Sequence, residues 1–173
     1  MSVPKPYSGT SAARLTEMVN RANASAFVYN YDFTFGSPEA VSGEDGANTS
    51  VKMIPLRALD RYDSVELRYT RLPISVLELL AAEFSPVPIH VVPFNTLSIL
   101  PQINAALGIN LLPGEVDNVI FEEELPSYTL TIKEGSLGWL PSSFEFSAEH
   151  IPGVPLSSVI TVTTLSGLTY HPQ

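Results

Sequence analysis

The chain has 173 residues, of which 45% are hydrophobic and only 16% charged, and its net charge is −9. A chain of this length can bury a large core without metal ions or disulfides, and the absence of cysteine excludes disulfides, thiolate catalysis and cysteine-bound zinc. The acidic balance argues against nucleic acid or an anionic membrane as a partner, because both attract lysine and arginine. The charged fraction lies below the ~25% that is typical of soluble domains. Either partners cover part of the surface, or the surface is polar and uncharged.

The first predicted elements are an extended arm and a helix. Residues 1–10 include Pro4 and Pro6, and proline favours extended backbone over a helix interior. Either Thr10 or Ser11 can cap a helix that runs to about Ala24. The helix is predicted because apolar residues recur at the spacing of one helical face: Leu15, Met18, Val19 and Ala22.

Three strands are predicted next, and apolar and polar residues alternate along the first and the third of them. They cover residues 28–35, 50–54 and 62–71, and a glycine- and serine-rich loop at 36–48 separates the first two. We expect these strands and the helix to share a core, which consists of Leu15, Met18, Tyr31, Phe33, Val51, Val65, Leu67 and Tyr69.

A second group of elements begins after Pro73. Helical spacing predicts a helix over residues 74–84, and three prolines restrict residues 89–92 to a short edge strand or an extended link. A further helix begins at Asn95 or Thr96 and ends at Leu107, before Gly108. Pro101 lies inside it and predicts a kink or a late start. Four more strands are predicted near residues 119–125, 128–133, 143–147 and 158–165.

Alternating strands joined by short turns favour antiparallel sheets over parallel ones. The sequence therefore predicts a β-rich α+β fold in which two small units, each a helix plus an antiparallel sheet, pack together. The expected boundaries are an N-terminal arm at 1–10, a first unit at 11–73, a second unit at 74–148, and a C-terminal strand and tail at 149–173. Residues 19–24 resemble residues 103–108, which leaves open either an internal duplication or a chance similarity of two amphipathic helices.

Catalytic chemistry finds little support in the sequence. Phosphate-binding loops, a nucleophile elbow and a zinc-binding His-Glu-x-x-His motif are all absent from it. The three histidines, His90, His150 and His171, are too far apart to form a ligand motif. The cluster Glu122–Glu124 could hold a cation or act as an acid pair, but a solvent-facing strand edge is favoured. We therefore expect no catalytic residue, no metal and no cofactor.

Trp139, the only tryptophan, lies in a predicted hairpin connection. Two interpretations are open for it. An exposed tryptophan there would be an interface anchor, whereas a buried one would close the end of the core.

The order of several short motifs resembles the virion structural proteins of large contractile-tailed bacteriophages, of the myovirus type. In the first unit, a helix and an aromatic strand are followed by Asn48-Thr49, a strand, Tyr62-Asp-Ser-Val65 and Tyr69-Thr-Arg71. In the second, Leu100-Pro-Gln-Ile-Asn-Ala-Ala-Leu-Gly108 precedes Tyr128-Thr-Leu-Thr-Ile132 and Leu137-Gly-Trp-Leu-Pro-Ser142. The chain departs from this pattern at 56–61 and after Glu149.

The resemblance implies a non-enzymatic structural component of a tailed-phage virion, located in the tail, baseplate or collar or decorating the capsid head. Such a protein is made in the host bacterial cytoplasm and assembles in multiple copies with other virion proteins, as a symmetric homo- or hetero-oligomer. The sequence shows no apolar segment of a signal peptide or a membrane span, so no membrane partner is expected.

We expect the arm, the 36–48 loop and the tail to make the contacts with partners. The candidate interface residues are Pro4, Pro6, Tyr7, Trp139, Val159, Ile160, Val162 and Tyr170. The alternative function is a receptor- or carbohydrate-binding module of a phage fibre or adhesin. Its contacts would come from Tyr29, Tyr31, Tyr69 and Trp139.

Overall fold

The structure is a computed structural model that describes residues 6, 7, 9–24, 28, 29, 31–42, 46–56, 63–83 and 85–153. This part of the chain forms a β-rich α+β fold with three α-helices and nine strands. The first unit contains α1 (Ser11–Ala22), β1 (Phe33–Phe35), β2 (Glu39–Ala40), β3 (Thr49–Pro55) and β4 (Val65–Tyr69). The second contains α2 (Ile74–Glu83), β5 (Val87–Ile89), β6 (Phe94–Asn95), α3 (Thr96–Leu107), a 3-10 turn (Pro113–Glu115), β7 (Ile120–Phe121), β8 (Ser127–Ile132) and β9 (Ser142–His150).

The first unit is an antiparallel sheet with one helix packed on it. Strand β3 is central, with β1 and β2 along one edge and β4 along the other. Helix α1 begins where the sequence predicts, because the side chain of Thr10 accepts a hydrogen bond from the Ala13 N–H at 3.2 Å. Leu15 of this helix packs with Val51 and Tyr69 to form the small core of the unit.

The predicted register of the first sheet is confirmed, but its predicted core is only partly right. Val65, Leu67 and Tyr69 share one face, because they lie opposite Met53, Val51 and Thr49. Leu15, Phe33, Val51 and Tyr69 are buried, and Leu67 is half-buried.

Three residues assigned to that core are exposed instead: Met18 at 41%, Tyr31 at 62% and Val65 at 55%. Strand β1 is shorter than the predicted 28–35 and starts at Phe33, so Tyr31 belongs to the preceding turn. Val65 lies on the correct face, but the core that α1 forms is centred on Val51 and Tyr69, toward the other end of β4. One short helix does not cover the whole sheet.

The second unit contains the larger core. Strands β8 and β9 form the predicted antiparallel pair, and β6 pairs with β7 in a separate ribbon. Strand β5 begins two residues before the predicted 89–92 and pairs with β9 in the parallel direction, so one pair departs from the antiparallel prediction. Pro88 is tolerated because β5 lies at the edge of its sheet. The sheet packs on buried residues of α2 and α3, including Leu77, Leu80 and Ile103.

Helix α3 has both predicted caps. The side chain of Asn95 accepts from the Ser98 N–H at 2.9 Å, and Gly108 adopts the left-handed conformation with φ 64°. The helix starts at Thr96 and continues through Pro101, which is exposed, so the predicted late start is wrong. Among the described helices, none is both long enough and apolar enough to span a bilayer.

The two sheets differ in strand order and direction, and the internal duplication stays a prediction. The strand predicted at 158–165 lies outside the described residues. The units are joined directly, because Leu72, just after β4, forms a bridge with Trp139 of the second unit.

Candidate functional site

Buried polar side chains cluster where the two units meet, and we call this cluster the polar junction. Its members come from the arm, from α1, from β3 and β4 and from two turns of the second unit: Tyr7, Ser11, Thr49, Tyr69, Arg71, Glu115 and Ser136. Backbone hydrogen bonds hold the two sides together, because the Leu72 N–H donates to Gly138 O and the Leu140 N–H donates to Leu72 O, both at 2.9 Å. The end of β4 therefore lies directly against the loop between β8 and β9.

Arg71 connects the first sheet to that loop. Its side chain is only 3% exposed. Nε donates to Thr49 Oγ1 at 2.9 Å, and Nη1 donates to the backbone oxygens of Glu134 at 2.9 Å and Ser136 at 3.1 Å. Burial lowers the pKa of the Arg71 guanidinium, yet arginine stays protonated in proteins. The buried charge is thus compensated by carbonyl dipoles and by the Thr49 hydroxyl.

Glu115 has the matching role on the second unit. It is 7% exposed and ends the 3-10 turn that follows α3. Oε1 accepts from the hydroxyls of Ser11 at 2.9 Å and Ser136 at 2.8 Å, and Oε2 accepts from the Leu112 N–H at 2.9 Å. Because Ser11 is the first residue of α1, the carboxylate lies at the positive end of that helix. Glu115 therefore anchors the start of the first unit.

Tyr7 connects the N-terminal arm to the polar junction. Its hydroxyl is hydrogen-bonded to Ser11 Oγ at 2.9 Å, and its ring centroid lies 6.2 Å from that of Trp139. Burial raises the pKa of Tyr7, the Ser11 hydrogen bond opposes that shift, and the charge of Glu115 adds to it. The tyrosine fits because Gly138 has no side chain: a Cβ atom there would lie 2.6 Å from Ser11 Oγ and closer still to Tyr7 Oη.

Tyr69 is the member of the polar junction whose polar group is buried without a hydrogen bond to any described residue. Its side chain is 9% exposed, and its hydroxyl has no hydrogen-bond partner among the described residues. Burial raises the pKa of Tyr69 to about 12; the positive charge of Arg71 opposes the shift, while Glu115 and Tyr7 reinforce it. The folded state thus favours the neutral phenol.

We expect the free energy of unfolding to fall as the pH rises from 10 to about 12, because the folded pKa of Tyr69 lies above the ordinary value of 10.0. In that window the unfolded chain releases a proton that the folded chain retains, which favours unfolding. Below pH 10 the contribution is fully present. Urea titrations across the window should show a shallower fall for Tyr69→Phe than for wild type. Tyr31→Phe is the control, since Tyr31 is exposed; equal slopes for all three proteins would contradict the assignment.

The charged side chains of the polar junction make structural hydrogen bonds within the chain. Both carboxylate oxygens of Glu115 accept hydrogen bonds from the chain's own donors, and Arg71 is directed at backbone carbonyls. The described residues contain no cluster of three or more acidic or histidine side chains that could hold a metal ion. His150 Nε2 contacts Tyr128 Oη and Leu125 O, each at 3.1 Å, and His90 is exposed. His171 lies outside the described residues, and the absence of enzymatic activity stays a prediction.

Of the candidate interface residues, the structure describes Pro6, Tyr7 and Trp139. Trp139 is 1% exposed, so its second interpretation is confirmed: it is part of the core and offers no surface to a partner. Pro6 and Tyr7 are half-buried, and Tyr7 contacts its own chain. The remaining ones lie outside the described residues: Pro4, Val159, Ile160, Val162 and Tyr170. Residues 122–124 are exposed and follow β7, as the solvent-facing interpretation predicts.

The opposite end of the first sheet exposes apolar side chains on both of its faces, and we call this end the apolar sheet end. It is formed where β1 begins, β3 ends and β4 begins, since the Leu56 N–H donates to Asp32 O at 2.8 Å and Met53 pairs with Val65. Its exposed side chains are Tyr31 at 62%, Ile54 at 39%, Leu56 at 58% and Val65 at 55%. Val65 shares the face of its partner Met53, whereas Ile54, the next residue of β3, lies on the other face.

The fold and the junction define an α+β protein whose two units are fastened into one body by buried polar groups. The chain belongs to DUF7941, a family of unknown function, which matches residues 4–173. No curated protein and no solved structure matches the chain.

Proposed function

We propose that this protein is a non-enzymatic structural component of a tailed-bacteriophage virion, which acts by protein–protein assembly in multiple copies. The observation that carries the assembly part is the apolar sheet end. Its four apolar side chains stay exposed in a chain of which only 16% is charged. Exposed apolar side chains that gather at one end of a sheet suit a partner that covers that end.

The hydrogen bonds of the buried charged residues, Arg71 and Glu115, support the same proposal. The buried arginine and glutamate are bonded within the chain, where they fix the two units against each other. Two units joined by buried hydrogen bonds and bearing exposed apolar side chains suit a particle component. The assignment to a phage virion comes from the resemblance of the motif order in both units.

Particle composition tests the proposal. Mass spectrometry of purified particles should detect the chain at a fixed copy number, and a non-structural protein of the same phage serves as the background control. Absence of the chain from particles would overturn the proposal.

Incorporation should also depend on the apolar sheet end. Val65→Asp places a charge on an exposed position, so the fold should persist while docking of the apolar sheet end becomes costly. We expect this variant to be depleted from particles in a complementation assay. The matched control is Ser64→Asp, which adds the same charge at the neighbouring exposed residue. Equal incorporation of the two variants would show that the contacts lie elsewhere.

A second candidate function rests on one aromatic pair. Tyr29 and Tyr31 are 50% and 62% exposed, and their rings stack with centroids 5.1 Å apart and an angle of 7° between the planes. Exposed aromatic faces suit the apolar faces of sugars, so a carbohydrate- or receptor-binding module is the alternative proposal. Tyr69 and Trp139, the other aromatics considered for it, are buried. A monomer that binds glycans and loses binding in Tyr31→Ala would favour this alternative.

A further inference from the structure

Strand β9 is paired along only part of its second edge. Strand β8 accompanies residues 142–147 of β9 on one side. On the other side, β5 pairs only with residues 148–150. Among the described residues, no strand accompanies 142–147 on that side.

The hydrogen bonds show which backbone groups face the unpaired edge. The Ala148 N–H donates to Pro126 O at 2.9 Å, so even-numbered residues of β9 direct their groups toward β8. Antiparallel ladders alternate between bonded and non-bonded pairs, so odd-numbered residues direct their N–H and C=O groups the other way. The Ile151 N–H, which donates to Ile89 O at 2.9 Å, confirms this direction. Ser143 and Glu145 therefore present backbone donors and acceptors at the open edge.

A groove of about 590 Å³ runs beside this edge. Helix α2 forms one wall with Glu78 and Ala81, and the polar face of the strands forms the other with Thr129, Ser143, Glu145 and Ser147. The small side chain of Ala81 leaves room beside the backbone. The charged side chains that line the groove are both glutamates, and both are exposed.

We propose that this groove binds an extended, lysine-bearing peptide segment of a partner protein, which adds as a strand to β9 at residues 143–147. Open strand edges are templates for this mode of recognition, in which backbone hydrogen bonds supply affinity and side-chain positions supply specificity. The positive charge follows from the two glutamates of the groove and from the net charge of −9. This inference rests on the proposed function in one respect: the bound peptide would belong to a partner in the assembly.

Fluorescence anisotropy with the full chain tests the proposal. The probe is a labelled heptapeptide of alternating threonine and lysine. Its control carries N-methyl groups on alternate residues, which blocks one hydrogen-bonding edge and keeps the charge. We expect N-methylation on the pairing edge to weaken binding at least about tenfold, because a paired strand loses several hydrogen bonds. Replacing lysine with glutamate should abolish binding.

Protein variants locate the site. Glu145→Pro removes an N–H that points into the groove while the hydrogen bonds to β8 remain, and it should weaken binding by a similar factor. The double change Glu78→Gln and Glu145→Gln should weaken binding and flatten its salt dependence, because it removes the two negative charges that attract lysine. It keeps the backbone groups of the open strand edge. Glu122→Gln with Glu124→Gln is the matched control, because these exposed glutamates do not line the groove.

Three outcomes would overturn the proposal: equal binding of the N-methylated peptide, unchanged binding by the groove variants, and tighter binding of an uncharged peptide with the sequence of residues 158–165. The last would assign the edge to a second copy of this chain. Failure of these assays with the chain present in particles would remove this inference alone. Peptide binding by a chain absent from particles would remove the virion assignment and keep the groove.

Discussion

Replacing Arg71 with alanine is expected to lower the free energy of unfolding by roughly 3–5 kcal/mol. The substitution removes the donors to Thr49 and to the backbone oxygens of Glu134 and Ser136. The acceptors on Thr49 and Ser136 are buried, and each would lose its bond to Arg71 at a cost of about 1–3 kcal/mol. Urea denaturation monitored by circular dichroism measures the loss.

Arg68→Ala is the matched control, because Arg68 lies on β4, three residues before Arg71, with an exposed side chain. It should change stability by no more than about 1 kcal/mol, the range of an interaction at an exposed side chain. Arg71→Lys should fall between the two, since lysine keeps the charge but lacks the planar fork that reaches several acceptors. Equal losses for Arg71→Ala and Arg68→Ala would show that the junction contributes no stability.

Gly138→Ala should have the second large effect, a loss of about 1–3 kcal/mol from overpacking. The new Cβ would lie 2.6 Å from Ser11 Oγ and 3.1 Å from Ser11 Cβ, and it would overlap Tyr7 Oη. Relief requires that the arm and the start of α1 move away from the second unit. Trp139, the only tryptophan and a neighbour of Tyr7, should report this movement as a change in fluorescence.

A double-mutant cycle separates the two clashes. Tyr7→Phe removes the hydroxyl that the new Cβ overlaps, so the double variant should lose less stability than the sum of the single changes. Gly135→Ala is the control in the same loop, because a Cβ there meets no atom within 4 Å. If Gly138→Ala were as stable as Gly135→Ala, the junction would be looser than described.

Local patterns predicted the three helices and seven of the nine described strands; the two-residue strands β2, inside the predicted 36–48 loop, and β6 were missed. The three helices follow from apolar spacing and from caps that lie within four residues of the groups they bind, as at Thr10, Asn95 and Gly108. The pairing of β8 with β9 follows from alternation in two nearby segments. These features depend on short stretches of chain, which sequence displays directly.

The polar junction could not be predicted in the same way. Ser11 and Glu115, which share a hydrogen bond, are 104 residues apart in sequence. Neither residue has a local pattern that marks it as buried, and a glutamate in a Pro-Gly-Glu turn is ordinarily exposed. The exposure of Met18 and Val65 was missed for a related reason. Periodicity indicates which face of a helix or strand is apolar, whereas the burial of that face depends on how far the packed elements extend over it.

The link between Arg71 and Glu134, 63 residues further along the chain, has a consequence for synthesis on the ribosome. The first unit emerges before the second, and its buried arginine lacks the carbonyl oxygens of Glu134 and Ser136 until the loop after β8 has left the exit tunnel. Domains that are complete in themselves fold as they emerge, N-terminal first. Here we expect the first unit to complete its packing only when the second unit has emerged, so that a chain interrupted between the two exposes Arg71 and the apolar face of β4 together.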